Sequence, residues 1–181
     1  MKKSLVSALM AAVMGLAAGG AFASDGTINF NGALTATTCT INGNGTSSKN
    51  FTVTLPTVST SNLKALGDTA GSTSYNIALT NCAPVTSTSK ASVFYEAGTT
   101  VDPADGRLMV ATGGAQNVKL ELLNQDASQI KAGYSRDLQN SKPADISSGA
   151  ATLNYMVRYY ATGATSAGAA NSSVVYSIDY Q

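Results

Sequence analysis

The sequence predicts an all-β protein, and three observations carry that expectation. Apolar residues recur with period two along most of the chain. Clusters of Gly, Asn, Asp, Ser and Thr break those runs at short intervals. No stretch sustains the 3.6-residue spacing of an amphipathic helix, and no internal repeat of about 20–50 residues points to a solenoid or propeller.

The elements follow in order. Phe51, Val53 and Leu55 alternate with threonines ahead of Pro56. Tyr75, Ile77 and Leu79 alternate up to Asn81-Cys82, and Val118, Leu120 and Leu122 alternate with Lys119 and Glu121. Leu153, Tyr155, Val157 and Tyr159 form a longer run, and Val174, Tyr176, Ile178 and Tyr180 close the chain. Each reads as a strand with one buried face. Val93-Phe94-Tyr95 and Leu108-Met109-Val110 are unbroken apolar triplets, expected to be buried on both sides. Between them lie turn-rich stretches at 42–48, 102–106, 111–114 and 161–173. Only Asn62–Leu66 suggests a turn of helix. The polar loops 42–48, 84–90 and 111–117 are expected on the outer surface. Seven or more short strands in one domain-length chain predict an immunoglobulin-like sandwich.

The first residues are expected to lie outside that domain. Lys2 and Lys3 precede an apolar run from Leu5 to Ala18, and Ala21-Phe22-Ala23 is a small-x-small cleavage pattern. Residues 1–23 therefore read as a signal peptide for export. Cys39 and Cys82 are the two cysteines of the chain. In an oxidising compartment they are expected to pair, a bond worth about 4 kcal/mol in the chain-entropy model.

Charge and composition exclude several functions. Formal net charge is +1 and 12% of residues are charged, so no basic stripe argues for nucleic acid. Histidine is absent, which removes Ser-His-Asp and Cys-His machinery and His-ligated metal sites. Asp102 and Asp105 in "DPADG" resemble a calcium-loop fragment, but Ala104 occupies a ligand position, and Asp-Pro and Asp-Gly are ordinary turn chemistry. No catalytic residue, metal site or cofactor is assigned. The eight tyrosines at strand spacing are expected to be core residues with hydroxyls at the rim.

The two ends pose a problem. "VVYSIDYQ" runs to the last residue as a strand, which leaves an apolar sheet edge. "INFNGAL", at 28–34, has its own apolar face of Ile28, Phe30 and Leu34, with Gly32 on that same face. Two readings fit this glycine. It marks a bulge in an ordinary first strand, or it lets the segment lie close against another backbone.

At this point the sequence resembles the type 1-like pilins, the structural subunits of chaperone–usher fimbriae. The likeness rests on "GTINFNGAL" followed by "TTCTI", on "IALTNC", and on "RYYATGATSAGAANSSVVYSIDYQ" with Gly168 and the penultimate Tyr180. The resemblance implies an immunoglobulin-like sandwich lacking its C-terminal strand, completed in trans by donor-strand insertion. It divides the chain into a donor-strand extension at 24–36 and an incomplete pilin domain at 37–181. Ile28, Phe30 and Leu34 become plugs, with Gly32 where the groove is shallow. Gly168, Val174, Tyr176, Ile178, Tyr180 and Gln181 become the acceptor wall and chaperone-recognition edge. It implies identical subunits in a fibre, a periplasmic chaperone, an outer-membrane usher, and a tip adhesin or adaptor as partners. Export through the periplasm to a fimbrium on the bacterial surface follows, with a role in adhesion and biofilm formation. The alternatives are a minor or adaptor subunit, a carbohydrate-binding adhesin of the same system, and a secreted enzyme on a β-sandwich, which the missing histidine disfavours.

Overall fold

The computed structural model describes residues 26–32 and 34–181. The expected signal peptide, together with Ser24, Asp25 and Ala33, lies outside the described residues. The chain divides into two units, Met1–Leu34 and Thr35–Gln181. In the first, residues 26–32 and Leu34 belong to no strand, and Ile28, Phe30 and Leu34 are exposed.

The second unit is a sandwich of two antiparallel sheets. One holds β1 (Thr38–Gly43), β2 (Thr69–Ala83), β8 (Ala151–Ala161), β5 (Val118–Asn124) and β4 (Leu108–Met109) in the order β1-β2-β8-β5-β4, with β6 (Gln129–Ile130) also on β5. The other holds β7 (Ala144–Asp145), β3 (Lys90–Tyr95) and β9 (Tyr176–Tyr180) in the order β7-β3-β9. Between β6 and β7 lies the single turn of α1, Arg136–Gln139. The helical turn expected at Asn62–Leu66 is instead a 3-10 turn at Thr60–Asn62, sharing Asn62 alone with it and capped by the Ser59 side chain.

Period-two patterning decides which residues meet between the sheets. Tyr75, Ile77 and Leu79 of β2 and Leu153, Tyr155 and Val157 of β8 turn inward. They meet Val93 and Tyr95 of β3 in one buried cluster. Burying each such side chain contributes about 1.5–3 kcal/mol. Three tyrosines sit at its centre. The Tyr75 and Tyr95 hydroxyls are 2.7 Å apart, and Tyr155 accepts from the Val93 N–H at 3.2 Å. Burial pushes the phenol pKa of Tyr75, Tyr95 and Tyr155 upward, so all three stay protonated donors. The other five tyrosines are half-buried rather than core. The Cys39–Cys82 disulfide ties β1 to the end of β2 where the register shifts between Thr38 and Thr40. Of the apolar triplets, β3 is largely buried, but Met109 is 38% exposed because β4 lies at the sheet edge.

β5 departs from simple alternation. Glu121, expected to face solvent, is only 2% exposed. It accepts from Arg107 Nε at 2.9 Å and from Arg158 Nε at 2.7 Å. Arg158 is its cross-strand neighbour on β8, and the Arg107 guanidinium lies 3.6 Å over the Tyr160 ring. The 102–107 turn folds over this face. Asp102 and Asp105 accept the N–H of Ala104 and Arg107 at 2.8 and 3.0 Å, the turn chemistry expected of them. Both also hold Lys119 Nζ, at 2.6 and 2.9 Å.

Two predictions follow from this charged face. Glu121→Gln leaves two arginines without their shared carboxylate. It should lower stability by about 3 kcal/mol, read as a reduced denaturant midpoint at pH 7. Lys119 and the Ala104 N–H hold the Asp102 carboxyl below its ordinary range. Burial pushes Asp105 up, but Lys119 and Arg107 outweigh it and its pKa is also lowered. Carboxyls depressed by folding bind fewer protons than in the unfolded chain, so their stabilisation is present above the unfolded value and lost as pH falls. The melting temperature should hold down to about pH 5 and drop below about pH 4. Lys119→Met should blunt that drop.

Candidate functional site: an open groove along the sandwich edge

A groove of about 640 Å³ runs between two stretches of chain. One bank is 49–55 and the other is 172–177. Its floor is apolar, made by Tyr75 and Ile77 of β2, Tyr95 of β3, Leu120 and Leu122 of β5, and Val157 of β8.

The first bank corrects the sequence expectation of a strand. Phe51, Val53 and Leu55 do turn inward, with Thr52 and Thr54 outward. Yet among the described residues no main-chain hydrogen bond involves 51–58. A strand needs a neighbour to pair with, and on this side the neighbouring position is the groove itself.

The second bank has one paired and one unpaired side. β9 is the edge of its sheet. Lys90 and Gln181 exchange both main-chain hydrogen bonds at 2.8 Å, and the Glu96 N–H donates to the Val175 carbonyl at 2.9 Å. In an antiparallel ladder the hydrogen-bonded residues alternate. With Phe94 opposite Ser177 and Ser92 opposite Asp179, the odd-numbered residues bond to β3. The main-chain groups of Val174, Tyr176, Ile178 and Tyr180 therefore face the open edge. The predicted terminal strand is shorter than its pattern, since Val174 precedes β9.

The side chains named from the sequence divide into distinct places. Val174 and Tyr176 line the groove. Tyr176 donates to the Lys49 carbonyl at 2.6 Å and makes an edge contact with Phe51, ring centroids 6.3 Å apart. Ile178 and Tyr180 continue the same face against the core but lie beyond the groove's lining. Tyr180 accepts the Cys39 N–H at 3.1 Å, so it closes that end. Gln181 is held by Lys90 and borders a smaller polar pocket of about 220 Å³ beside Arg136 and Asp179.

Gly168 lies at the other end. Past the groove a second cavity of about 440 Å³ continues between 57–60 and 165–170, floored by Leu63, Val118 and Tyr159. There the chain is laid tightly on the 109–117 loop. Ala115 donates to the Ala169 carbonyl at 2.7 Å and Ala111 to the Asn171 carbonyl at 2.9 Å. A Cβ on Gly168 would meet the Ala115 backbone nitrogen at 2.8 Å, at a φ of +156°. The glycine is required by backbone against backbone, not by the groove floor. Gly32 is exposed in its own unit, with nothing within 4 Å of where a Cβ would lie.

Sequence reasoning missed Gln139. Its side chain, 1% exposed, accepts from the Tyr95 N–H at 2.6 Å and donates to the Tyr95 carbonyl at 3.0 Å. It thereby serves as a one-residue strand on the outer side of β3, beyond the reach of two-residue β7. A lone Gln in a polar stretch carries no periodic signal that would have found it.

Two sheets, a disulfide at the first strand, and a strand-wide groove with unpaired main chain on both banks define an immunoglobulin-like sandwich of the pilin class. The family model for the type-1 fimbrial protein, FimA, matches residues 55–181. The chain is 43% identical over 164 residues to the major fimbrial subunit SMF-1 of Stenotrophomonas maltophilia, covering 87% of this chain and 94% of that protein. It is 38% identical over 161 residues to the F17 fimbrial protein of Escherichia coli, covering 87% and 88%. The crystal structure of an antigen and type I fimbria protein from Burkholderia pseudomallei superposes with a TM-score of 0.56 at 27% identity, covering 79% of this chain and 99% of that one. The chain belongs to the type-1 fimbrial protein family, whose members are structural subunits of cell-surface fimbriae.

Gly168→Ala should destabilise the sandwich by about 1–3 kcal/mol, because backbone rather than a movable side chain meets the new methyl. Gly98→Ala, where nothing lies within 4 Å, should melt like the unmodified protein. Equal melting of the two variants would contradict the close-approach account.

Proposed function

We propose that this subunit polymerises by strand insertion: the 24–36 extension of one copy fills the groove of the next. The observation that carries this reading is the pair of facing banks whose main chains have no partner on the groove side. An added strand would satisfy both, and alternate side chains would enter the apolar floor. Ile28, Phe30 and Leu34 are the plugs, each worth about 1.5–3 kcal/mol when buried. They are exposed on the extension, which is costly unless a partner covers them.

The two cavities also support a polarity. The larger has room for Ile28 and Phe30, and the smaller for Leu34. Gly32, between Phe30 and Leu34, then falls at the neck where the larger cavity ends at Leu55 and Ser172 and the smaller begins at Thr57 and Ala170. The banks run antiparallel, since Lys49 meets Tyr176 while 57–60 faces 165–170. An inserted strand therefore runs parallel to one bank. This order makes it parallel to 49–60 and antiparallel to 165–177.

An unfilled groove is an aggregation hazard. In this reading a periplasmic chaperone lends a strand first, reading the 174–181 edge with Tyr180 and Gln181. An outer-membrane usher then exchanges it for the next extension. The fibre would present its outer loops at the cell surface, with a tip adhesin or adaptor at its end, and support adhesion and biofilm formation.

The test is a melting curve of Thr35–Gln181, disulfide oxidised, with and without a peptide spanning Ser24–Leu34. The peptide should raise the melting temperature saturably, and Gly32→Leu in the peptide should abolish the rise. A domain that melts high and ignores the peptide would contradict strand insertion. Tyr180→Ala in the exported protein should reduce recovery from the periplasm. Tyr180→Phe, which removes only the hydrogen bond to Cys39, separates the edge's recognition from its role in closing the groove: it should recover better than Tyr180→Ala.

A further inference from the structure

The turn after the 3-10 helix carries an exposed leucine that the sandwich does not use. Leu66 is 71% exposed. It is not on a loose loop. Asp68 Oδ2 accepts the N–H groups of Lys64 and Ala65 at 2.9 and 2.8 Å. Gly67 donates to the Ala161 carbonyl, and Ala161 to the Asp68 carbonyl, both at 2.9 Å. Next to it, the Leu63 carbonyl accepts from Thr165, and Leu63 lines the second cavity. Leu66 is therefore held on a fixed turn three residues from Leu63 in that cavity's floor.

The proposed polarity brings Leu34 of a neighbouring copy into that cavity. Only Thr35, Ala36 and Thr37 separate Leu34 from β1, whose first residue is Thr38. Four residue steps span at most about 14 Å. The neighbour's sandwich must then sit directly against the end of the groove. The point where its extension leaves is marked by Thr37, which donates to its own Pro84 carbonyl at 2.7 Å. Beside it Ala83 and Pro84 are exposed and Val85 is half-buried, an apolar turn at the sandwich's end.

We infer that Leu66 packs against the 83–85 turn of the copy whose extension fills the groove. This rests on the strand-insertion reading and its polarity. The contact is a second joint beside the inserted strand. It fixes the angle between consecutive subunits, which a strand on a three-residue tether does not fix alone. An isolated exposed leucine is ordinary on a protein surface. A leucine pinned on the turn next to the cavity that receives Leu34, with a neighbour on so short a tether, is a candidate contact.

The test uses fibres of the full chain. A photo-crosslinking residue at position 66 should join to a neighbour's peptide containing 83–88 or 35–38. Cross-links solely to other surfaces would overturn the contact. Leu66→Asp subunits should bind the Ser24–Leu34 peptide as the unmodified domain does, yet their fibres should dissociate several-fold faster in denaturant. Unchanged fibre dissociation would also overturn it. An unmodified domain that ignores the peptide would instead sink strand insertion, and this contact with it.

Discussion

Two stretches of main chain face each other across an apolar floor, and neither has a partner on that side. On one bank the carbonyls and amides of 51–58 bond to nothing among the described residues. On the other, the even-numbered residues of β9 turn theirs to the open edge. Main-chain groups removed from water without partners cost about 1–3 kcal/mol each. Water can reach them while the groove is open, but the apolar floor is then wet. Satisfying both demands at once needs a segment that brings its own main-chain donors and acceptors together with apolar side chains at every second position. That requirement describes an extended peptide and no small molecule.

Several contacts elsewhere in the structure fix where those banks lie. The disulfide fixes β1 to β2 beneath the closed end, and Tyr180 anchors β9 to Cys39 there. Gly168 and Gly114 let the chain before β9 lie on the 109–117 loop, which draws the second bank into place. Gln139 of α1 bonds the far side of β3 at Tyr95, whereas β7 pairs only with Lys90 and Ala91. The arginine–carboxylate face on β5 and β8 closes the opposite surface of the larger sheet.

The long strands were legible in the sequence because each buries one face against the other sheet, and burial imposes period two. Tyr75, Ile77 and Leu79 or Leu153, Tyr155 and Val157 have no other reading. The groove was legible only indirectly. Phe51, Val53 and Leu55 showed the same period, but periodicity reports which side chains are buried and not whether the backbone is paired. Gly168 could be singled out through resemblance, but its reason, the close pass of the Ala115 backbone, depends on a contact distant in sequence. Glu121 read as a solvent-facing charge because the turn that covers it comes from residues 102–107. Gln139 was invisible for the same reason: its importance lies in two hydrogen bonds to one residue of β3.

The most direct measurement is amide hydrogen exchange, residue by residue, on the isolated domain and on assembled fibres. The structure predicts that Ser177 and Asp179 are protected in both, because their amides bond to β3. Val174, Tyr176 and the amides of 51–55 should exchange rapidly in the isolated domain; in the fibre Val174, Tyr176 and every second amide of 51–55, those that face the inserted strand, should become protected together. Protection of Val174 and Tyr176 already in the isolated domain, or protection of one bank without the other in the fibre, would contradict a strand seated between them.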